Sequence, residues 1–390
     1  MNMKKHLLFL LYFITSLSCY GYDFKVDGVF YNILSHEDKT CEVTYGDSVL
    51  SEYGGIASFY EGDIVIPEMV LVDGEIYKVI KIGDCAFYCC NNVTNIEIPS
   101  TILQVGNASF VCCTGLKSFS FSEGVQYVGY GAFDGCSSLE SVHFSSSIYR
   151  INTDALFCYC TSLRSITVSD KNERFKSVNN CLLSKDGKIL YRGCRTSIIP
   201  DGVKVIDEDA FDGCQTLETI NIPSSVEAIG SYAFWRCTGL KGDFVIPDGV
   251  RRIERGAFCG CSSITSVVIS ASVTNIGNMA FYGCSSLTSV YVNWNTPLLV
   301  ELDLFSGIDK TICTLYVPQG ISDDYRLSRW GEEFDNIVEY NATGINQEAN
   351  GSEAKEISRY SADGKWLYAP TKGVNIVRYS NGNVKKVFVK

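Results

Sequence analysis

Proline, methionine and histidine are scarce in this chain of 390 residues, which has 8, 4 and 3 of them respectively. So few prolines argue against long disordered or proline-rich tracts, and the 46% hydrophobic content is that of a folded protein. A serine- or cysteine-based triad needs a histidine base beside its nucleophile. His143 is flanked by Ser141 and Ser145 on one face of a strand pattern, and such neighbours point outward together. The sequence therefore predicts no catalytic residues.

Clustered positive charge is missing as well. The chain has 33 Lys and Arg against 44 Asp and Glu, a net charge of −11, and phosphate binding needs clustered basic residues. This balance excludes nucleic acid as the main partner. There is no P-loop, dinucleotide-binding, zinc-protease or EF-hand pattern, and no C-x-x-C motif pairs with a second one or with histidine. Carboxylates fall at non-matching repeat positions, which does not favour a glycosidase pair. We expect no cofactor, no metal site and no enzymatic activity.

One long apolar stretch is present, at the N-terminus. The segment MNMKKHLLFLLYFITSLSCYG has a positive start at Lys4 and Lys5, an apolar run over residues 7–17 and small residues after it. This pattern is typical of a secretory signal peptide and is too short for a membrane span. We assign residues 1–21 to a signal peptide that is cleaved at export. Cys19 leaves a lipoprotein as the alternative.

One phrase recurs eight times: an Ile or Val, then Ala-Phe, a Cys, a Leu-like residue and two apolar residues at alternate positions. A clear copy reads IGNMAFYGCSSLTSVYV from Ile276. A fixed period of this size is the signature of a solenoid, an architecture that usually serves as an extended binding surface. The copies are 23, 23, 23, 55, 23, 24 and 23 residues apart, and they open at Ile82, Val105, Val128, Ile151, Ile206, Ile229, Ile253 and Ile276.

The repeat predicts that each turn of the solenoid contributes one strand, with one of its faces buried in the core. Val142 and Phe144 alternate with Ser141 and His143, which is the period of a strand with one buried face. Eight parallel strands, including one around Ile220 and Ile222, should stack about 4.8 Å apart. Ala-Phe should lie on the opposite wall, in a short helical turn or tight bend. In the third copy we expect these residues to point inward: Val128, Ala132, Phe133, Cys136, Leu139, Val142, Phe144 and Ile148.

The repeated phrase I-G-x-x-A-F-x-x-C-x-x-L-x-x-I-x-I-P resembles the BspA-like class of leucine-rich repeats of bacterial surface proteins, over residues 82–292. The resemblance implies an α/β repeat solenoid, a strand-rich leucine-rich-repeat horseshoe with a role in adhesion. Two copies depart from the pattern. The span from Ile151 to Cys160 is one residue longer than the others, and Lys241-Gly242-Asp243 adds one residue before Phe244. Both departures are typical of bulges.

The 55-residue step contains an insertion, assigned here to residues 170–205. Within it, Lys185-Asp186-Gly187-Lys188 between apolar runs predicts a β-hairpin island. Residues 22–81 carry strand-like runs and are expected to form the N-terminal cap. Residues 293–340 are expected to form a C-terminal cap with a closing strand and a short amphipathic helix, whose apolar face is Leu327, Trp330, Phe334 and Ile337.

A polar linker over residues 341–355 separates this body from a tail over residues 356–390. Asp363-Gly364 and Asn381-Gly382 predict turns between three or four antiparallel strands. The tail resembles the C-terminal sorting domain of the type IX secretion pathway of Bacteroidetes. That resemblance implies that outer-membrane secretion machinery recognises the tail, and it is carried by Gly373, Asn375, Lys385, Lys386 and Lys390.

The 18 cysteines of an exported chain invite a disulfide framework. Eight of them instead hold the same inward slot, and stacked turns bring such side chains alongside in a geometry that is poor for disulfide closure. We therefore expect a ladder of buried free thiols. Two further pairs, Cys89 with Cys112 and Cys181 with Cys194, are candidate disulfides that we expect to stay reduced. The ladder is Cys90, Cys113, Cys136, Cys160, Cys214, Cys237, Cys261 and Cys284.

The outward side of the strands is the candidate binding face. The first strands present short polar residues, and the last three present Val245, Val268 and Tyr291 in line. One interpretation is that these residues merely tolerate an open sheet. The other is a binding face whose C-terminal end supplies the apolar contact, with Ser141, His143, Asn221, Val245, Val268 and Tyr291 as its residues. The remaining outward residues of the first four strands are Asn95, Glu97, Ser118, Ser120, Ser165 and Thr167.

The sequence as a whole predicts a non-enzymatic repeat protein, secreted from or displayed on the outer membrane of a Gram-negative bacterium. The expected partner is a host extracellular-matrix protein or another cell-surface protein. The alternative is a glycan-binding module of a polysaccharide-uptake system. Aromatic side chains in a groove would favour the glycan, whereas a broad polar face would favour the protein.

Overall fold

A computed structural model describes residues 22–46, 49–50, 56–57, 60–301, 303–340, 356–361, 373–379 and 384–389. The predicted signal peptide and the linker over residues 341–355 lie outside the described residues. The chain forms the predicted strand-rich solenoid with one repeat per turn. Helix is confined, in the described ranges, to two five-residue segments near the C-terminal end of the stack.

The solenoid begins with a cap and four turns. The cap strands are β1 (Phe24–Val26), β2 (Val29–Ser35), β3 (Thr40–Thr44), β4 (Val49–Leu50), β5 (Ile56–Ala57), β6 (Glu61–Val65), β7 (Met69–Val72) and β8 (Glu75–Ile82). The following turns hold β9 (Asn92–Glu97), β10 (Gln104–Val105), β11 (Ser118–Ser120), β12 (Tyr127–Val128), β13 (Ser141–Phe144), β14 (Arg150–Ile151) and β15 (Ser165–Val168).

The island and the second half follow. The island strands are β16 (Phe175–Val178), β17 (Cys181–Ser184) and β18 (Ile189–Arg192). The later turns hold β19 (Val205–Ile206), β20 (Ala228–Ile229), β21 (Gly242–Ile246), β22 (Arg252–Ile253), β23 (Ile264–Ile269), β24 (Asn275–Ile276) and β25 (Ser289–Val292). The last elements are β26 (Thr314–Pro318), α1 (Ser322–Arg326), α2 (Arg329–Glu333), β27 (Asn336–Tyr340), β28 (Glu356–Ser361), β29 (Gly373–Tyr379) and β30 (Val384–Val389).

Two parallel walls run along the stack. The Ile or Val that begins each repeat lies in a short strand, and these strands, most of them two residues long, form the two-residue-strand wall. In this wall Ile82, Val105, Val128 and Ile151 are in register. The longer strands form the strand wall, made of β6-β9, then β11-β13-β15, then β21-β23-β25-β26-β27. The island joins the first wall, because β18 pairs in parallel with β19. The insertion therefore continues the stack instead of looping away from it.

Phenylalanine rings fill the side of the core opposite the strand wall. Phe211, Phe234 and Phe258 stack face to face, with centroids 5.0 and 5.1 Å apart and planes within 5° of parallel. The turn that carries each ring is a tight bend, and no α-helix forms there. All eight inward residues predicted for the third copy are at most 1% exposed. The alternation of apolar residues thus identified the core correctly.

One predicted strand is wrong. The segment around Ile220 and Ile222 pairs with neither neighbour, so the turns of the repeat region supply seven strands to the strand wall. On one side, island residues intervene, because the Arg195 amide donates to the Leu163 carbonyl. On the other side, the extra residue Gly242 has a φ of +81° and shifts the register of β21. The sheet is interrupted here because both neighbours are displaced.

The cysteine ladder is confirmed, and it is also a hydrogen-bond ladder. Its eight members are buried and free. The thiols of Cys113, Cys136, Cys160, Cys237, Cys261 and Cys284 each donate to the carbonyl of the Phe in the preceding turn, over 3.0–3.4 Å. Cysteine suits the slot because it is a small apolar residue with a weak donor.

The C-terminal end of the stack is closed much as predicted, with one exception. Trp330, Phe334 and Ile337 are buried, and the Trp330 indole donates to the Leu298 carbonyl at 2.9 Å. Leu327, however, is 89% exposed. The predicted helix is split into α1 and α2, and Leu327 falls on the break between them, so it leaves the apolar face. Strands β28, β29 and β30 form a three-stranded antiparallel sheet.

Candidate binding groove on the strand wall

A groove of about 490 Å³ crosses the outer side of β9, β11, β13 and β15. Side chains of alternate residues reach it because each strand turns its other face to the core. The groove is wide and shallow, and it lies on the outward face predicted from the sequence. Its outward lining consists of Asn95, Glu97, Ser118, Ser120, Ser141, His143 and Thr167.

The parallel register arranges most of this lining in two rows. Ser118 lies beside Ser141, which lies beside Ser165, and the second row is Ser120, His143 and Thr167. His143 Nδ1 is 2.9 Å from Thr167 Oγ1, which holds the imidazole along the row. The rows offer hydroxyls and an imidazole at the spacing of neighbouring strands, about 4.8 Å. Such groups can donate to and accept from backbone amides or hydroxyls.

The groove carries a negative charge at its N-terminal end. Glu97 is exposed, and its carboxylate accepts a hydrogen bond of 3.3 Å from the side-chain amide of Asn95. Ile96, Ile98, Phe119 and Val142 also line the groove, and there is no Lys or Arg among its described lining residues. The groove therefore presents outward polar groups and a carboxylate above an apolar floor, and because Phe119 is buried it suits hydrogen bonding more than stacking.

The structure brings together only part of the predicted site. Ser141 is half-buried and His143 exposed, and both line the groove. Val245, Val268 and Tyr291 lie in register on β21, β23 and β25, as predicted. Asn221 is half-buried on the segment that forms no strand. The polar and the apolar members of the prediction are thus separated by the interruption of the sheet.

The apolar end of the predicted face is covered at Tyr291, whereas Val245 and Val268 are half-buried. Tyr291 was expected to be an exposed contact, but it is 0% exposed. Its ring stacks on Tyr316 with centroids 4.4 Å apart and meets the edge of Tyr340. Outward Ser266 and Ser289 are also buried. The C-terminal sheet reaches the same wall, because the Tyr360 hydroxyl donates to a backbone carbonyl of β21, at Asp243, over 3.4 Å.

The sequence contained the signal for the other groove residues. Alternation alone predicts that Asn95, Glu97, Ser118, Ser120 and Thr167 point outward, although the six predicted binding residues do not include them. Alternation gives the direction of a side chain but does not show what packs over it. The covering residues Tyr316 and Tyr340 lie beyond the repeats, so the repeat pattern could not reveal them.

A second cluster of polar groups is buried where the island meets the repeats. The Cys158 thiol donates to Asp212 Oδ2 at 3.1 Å, and Arg192 Nη1 donates to the Glu208 carbonyl at 2.6 Å. A cavity of about 10 Å³, room for about one water, is lined by Cys158, Arg192, Asp209 and Asp212. Asp212 Oδ1 and Arg192 Nε have no hydrogen-bond partner within the described chain. This enclosed cluster is too small for a substrate.

Burial dominates the acidity of this cluster. It raises the pKa of Asp209 to about 6, although the nearby Arg192 lowers it. It raises the pKa of Asp134, on the neighbouring turn, to about 7. Burial also raises the pKa of Asp212 well above its ordinary value, and the charge of Asp209 adds to that effect. Burial therefore disfavours the charged form of all three carboxyls in the folded protein.

No group of three or more His, Cys, Asp or Glu in the described ranges is arranged to hold a metal ion. No helix in those ranges is both long and apolar enough to cross a bilayer.

Comparison with known proteins identifies the repeats. A family model for the BspA type leucine rich repeat region matches residues 76–184 and 190–307, in 6 copies. The matched residues make up more than half of the chain and resume within the island. No curated protein matches the chain.

Solved structures of bacterial repeat proteins are similar to this chain at low identity. A leucine rich cell surface protein from Faecalibacterium prausnitzii is 23% identical, with 85% of this chain and 95% of that chain covered and a TM-score of 0.39. The pneumococcal vaccine antigen PcpA is 19% identical, with 83% and 100% covered and a TM-score of 0.43. A leucine-rich repeat protein from Eubacterium ventriosum is 18% identical, with 82% and 86% covered and a TM-score of 0.48.

Proposed function

Because this chain belongs to the BspA-type leucine-rich repeat family, we propose that it is an exported, non-enzymatic adhesion protein that binds another protein through the groove on β9–β15. The observation that carries the proposal is the polar groove of about 490 Å³ with its two rows of outward side chains. Extended surfaces of this kind suit protein partners, as in other solenoids. The expected partner is a host extracellular-matrix protein or a neighbouring cell-surface protein.

The groove lining favours a protein over a glycan. Sugar rings are commonly held by aromatic side chains that stack on their apolar faces. Among the described residues that line the groove the aromatic side chain is Phe119, which is buried, and the outward residues are Ser, Thr, Asn, Glu and His. A glycan-binding module therefore remains the second candidate, supported only by the hydroxyl-rich rows. Multiple copies displayed on one cell would strengthen weak single contacts.

The two ends of the chain support export. We assign residues 1–21 to a cleaved signal peptide and residues 356–390 to a tail that outer-membrane secretion machinery of a Bacteroidetes cell recognises. The support is the charged and apolar N-terminal pattern and the tail residues Gly373, Asn375, Lys385, Lys386 and Lys390. A fusion of residues 356–390 to a periplasmic reporter tests the tail, because the reporter should reach the surface only in cells with that pathway.

The proposed binding role of the groove is tested with a variant that fills it with bulky side chains. Residues 22–390 and a Ser118→Trp, Ser141→Trp variant are passed over immobilised extracellular-matrix proteins and a glycan array. We expect the parent chain to bind at least one protein and the variant to lose that binding at least about tenfold, which corresponds to about 1.4 kcal/mol. Gln126→Trp, at an exposed position on the two-residue-strand wall, is the matched control and should bind normally. Equal binding by the groove variant contradicts the proposal, and glycan binding alone favours the second candidate.

A further inference from the structure

Cys89 and Cys112 occupy a backbone slot that four of the other six turns give to glycine. The residue before each ladder cysteine has a positive φ, and it is 56° at both Cys89 and Cys112. Gly135, Gly213, Gly260 and Gly283 fill the slot in four of the other turns, as expected for a conformation that glycine adopts without steric cost, and Tyr159 and Arg236 fill it in the remaining two. Cys89 and Cys112 fill the slot on successive turns, which sets two thiols side by side.

The two thiols lie on adjacent turns, and both are half-buried. The backbone amide of Cys89 donates to the carbonyl of Val111, the residue before Cys112, at 2.7 Å. Of the 17 cysteines in the described residues, all except Cys89 and Cys112 are buried. Neighbouring turns are about 4.8 Å apart, within the Cα separations that a disulfide spans. The ladder cysteines are held parallel in the packed core, which disfavours closure, whereas Cys89 and Cys112 are half-buried, so their side chains have room to turn toward each other.

The surroundings distinguish the roles of the two sulfurs. The neighbouring Cys112 thiol, and to a smaller extent Tyr88, hold the pKa of Cys89 below its ordinary value, although burial opposes them. The pKa of Cys112 is raised, first because it donates to Cys89 and then because of burial. By contrast, burial raises the pKa of ladder thiols such as Cys237 and Cys261. Cys89 is therefore the more readily ionised of the pair, and thiolate is the reactive form.

We propose that Cys89 and Cys112 form a redox-active dithiol that a disulfide oxidant converts to a bridge between the first two turns of the solenoid. The Cys89 thiolate attacks one sulfur of the oxidant, which releases one thiolate and leaves a mixed disulfide. Cys112 then loses its proton and attacks the Cys89 sulfur, which releases the second thiolate. Two protein thiols are oxidised, one external disulfide is reduced to two thiols, and the two protons that the protein thiols lose are taken up by the two released thiolates.

The bridge would join two turns whose strands are not hydrogen-bonded to each other in the strand wall. β9 pairs with β6 and β11 pairs with β13, and no ladder joins β9 to β11 within the described chain. Cys89 precedes β9 by three residues, and Cys112 precedes β11 by six. Oxidation should therefore tie together two strands that line the groove, and should slow exchange of their backbone amides.

The test uses the reduced chain of residues 22–390 with oxidised glutathione as the probe. Under native conditions we expect the loss of two thiols and a Cys89–Cys112 bridge in the peptide map, with the other cysteines still reduced. Hydrogen exchange should slow at residues 92–97 and 118–120. A native protein that keeps all its thiols, or that bridges other cysteines equally fast, overturns the proposal.

Two glycine variants assign the roles without disturbing the turn, because glycine is the common residue of the slot. Cys112→Gly should trap glutathione on Cys89 as a stable mixed disulfide, and Cys89→Gly should form neither adduct nor bridge. Thermal unfolding should show that both variants fold as the parent chain does. An adduct that forms on Cys112 in the Cys89→Gly variant, at the rate seen on Cys89, contradicts the assignment of Cys89 as the attacking thiol.

Discussion

Replacing Asp134 by Asn should make the protein more stable at pH 8 and should leave it unchanged at low pH. Burial raises the pKa of Asp134 from 3.8 to about 7, so the folded state binds a proton that the unfolded chain releases at lower pH. The stabilising contribution of protonated Asp134 is fully present below about pH 4 and is lost as the pH rises through about 7. Asn keeps the shape of the protonated side chain and has no charge to lose.

The expected magnitude follows from the pKa difference. The interval from 3.8 to about 7 corresponds to a ceiling of about 4 kcal/mol, at 1.36 kcal/mol for each pH unit. Asp134 is half-buried, so residual solvent screens its charge and we expect about 1–2 kcal/mol at pH 8. The variant should exceed the parent by this amount at pH 8, and the two should agree near pH 4.

Urea unfolding followed by circular dichroism, in reductant, measures the effect as a shift of the midpoint with an unchanged slope. The stability of the parent should fall between about pH 4 and pH 7, with Asp209 and Asp212 contributing in the same direction. Asp201→Asn, at an exposed turn position, is the control and should follow the parent at every pH. A parent and an Asp134→Asn variant with the same pH profile would refute the reasoning.

Three further predictions concern the core and the covered face. Phe234→Ala removes a 0% exposed ring from the middle of a stack and should lower the free energy of unfolding in urea by about 3–5 kcal/mol. Tyr282→Ala, at a 41% exposed position, is the control and should lower it by less than about 0.5 kcal/mol. Cys237→Ala removes the donor to the Phe211 carbonyl and should cost about 1–2 kcal/mol; an unchanged midpoint would mean that the thiol ladder contributes nothing. Ending the chain after Tyr340 removes the Tyr360 contact with β21 and should speed hydrogen exchange in β23 and β25; unchanged exchange there would show that Tyr316 and Tyr340 alone cover this end.

The repeat made most of the fold predictable. Each inward residue of the third copy could be assigned because stacking places equivalent residues in equivalent surroundings, and all of them are buried. The thiol ladder followed from the same reasoning, and the free buried cysteines confirm it. The predictions that failed depend on single departures from the repeat. The strand expected around Ile220 is absent because Gly242 and the island displace its neighbours, and Leu327 is exposed because a helix breaks beside it.

The candidate site, like the fold, was predictable from the sequence only in part. Alternation along the strands showed which side chains point outward, since the side-chain period of a strand is two residues. The sequence by itself therefore determined the solenoid, its core and the two polar rows of the groove. Only the tertiary structure decided which part of the face is open, because Tyr316, Tyr340 and the C-terminal sheet reach Tyr291 and Asp243 from distant parts of the chain. Contacts between distant segments depend on how the ends of the stack fold back, and a local repeat carries no information about them.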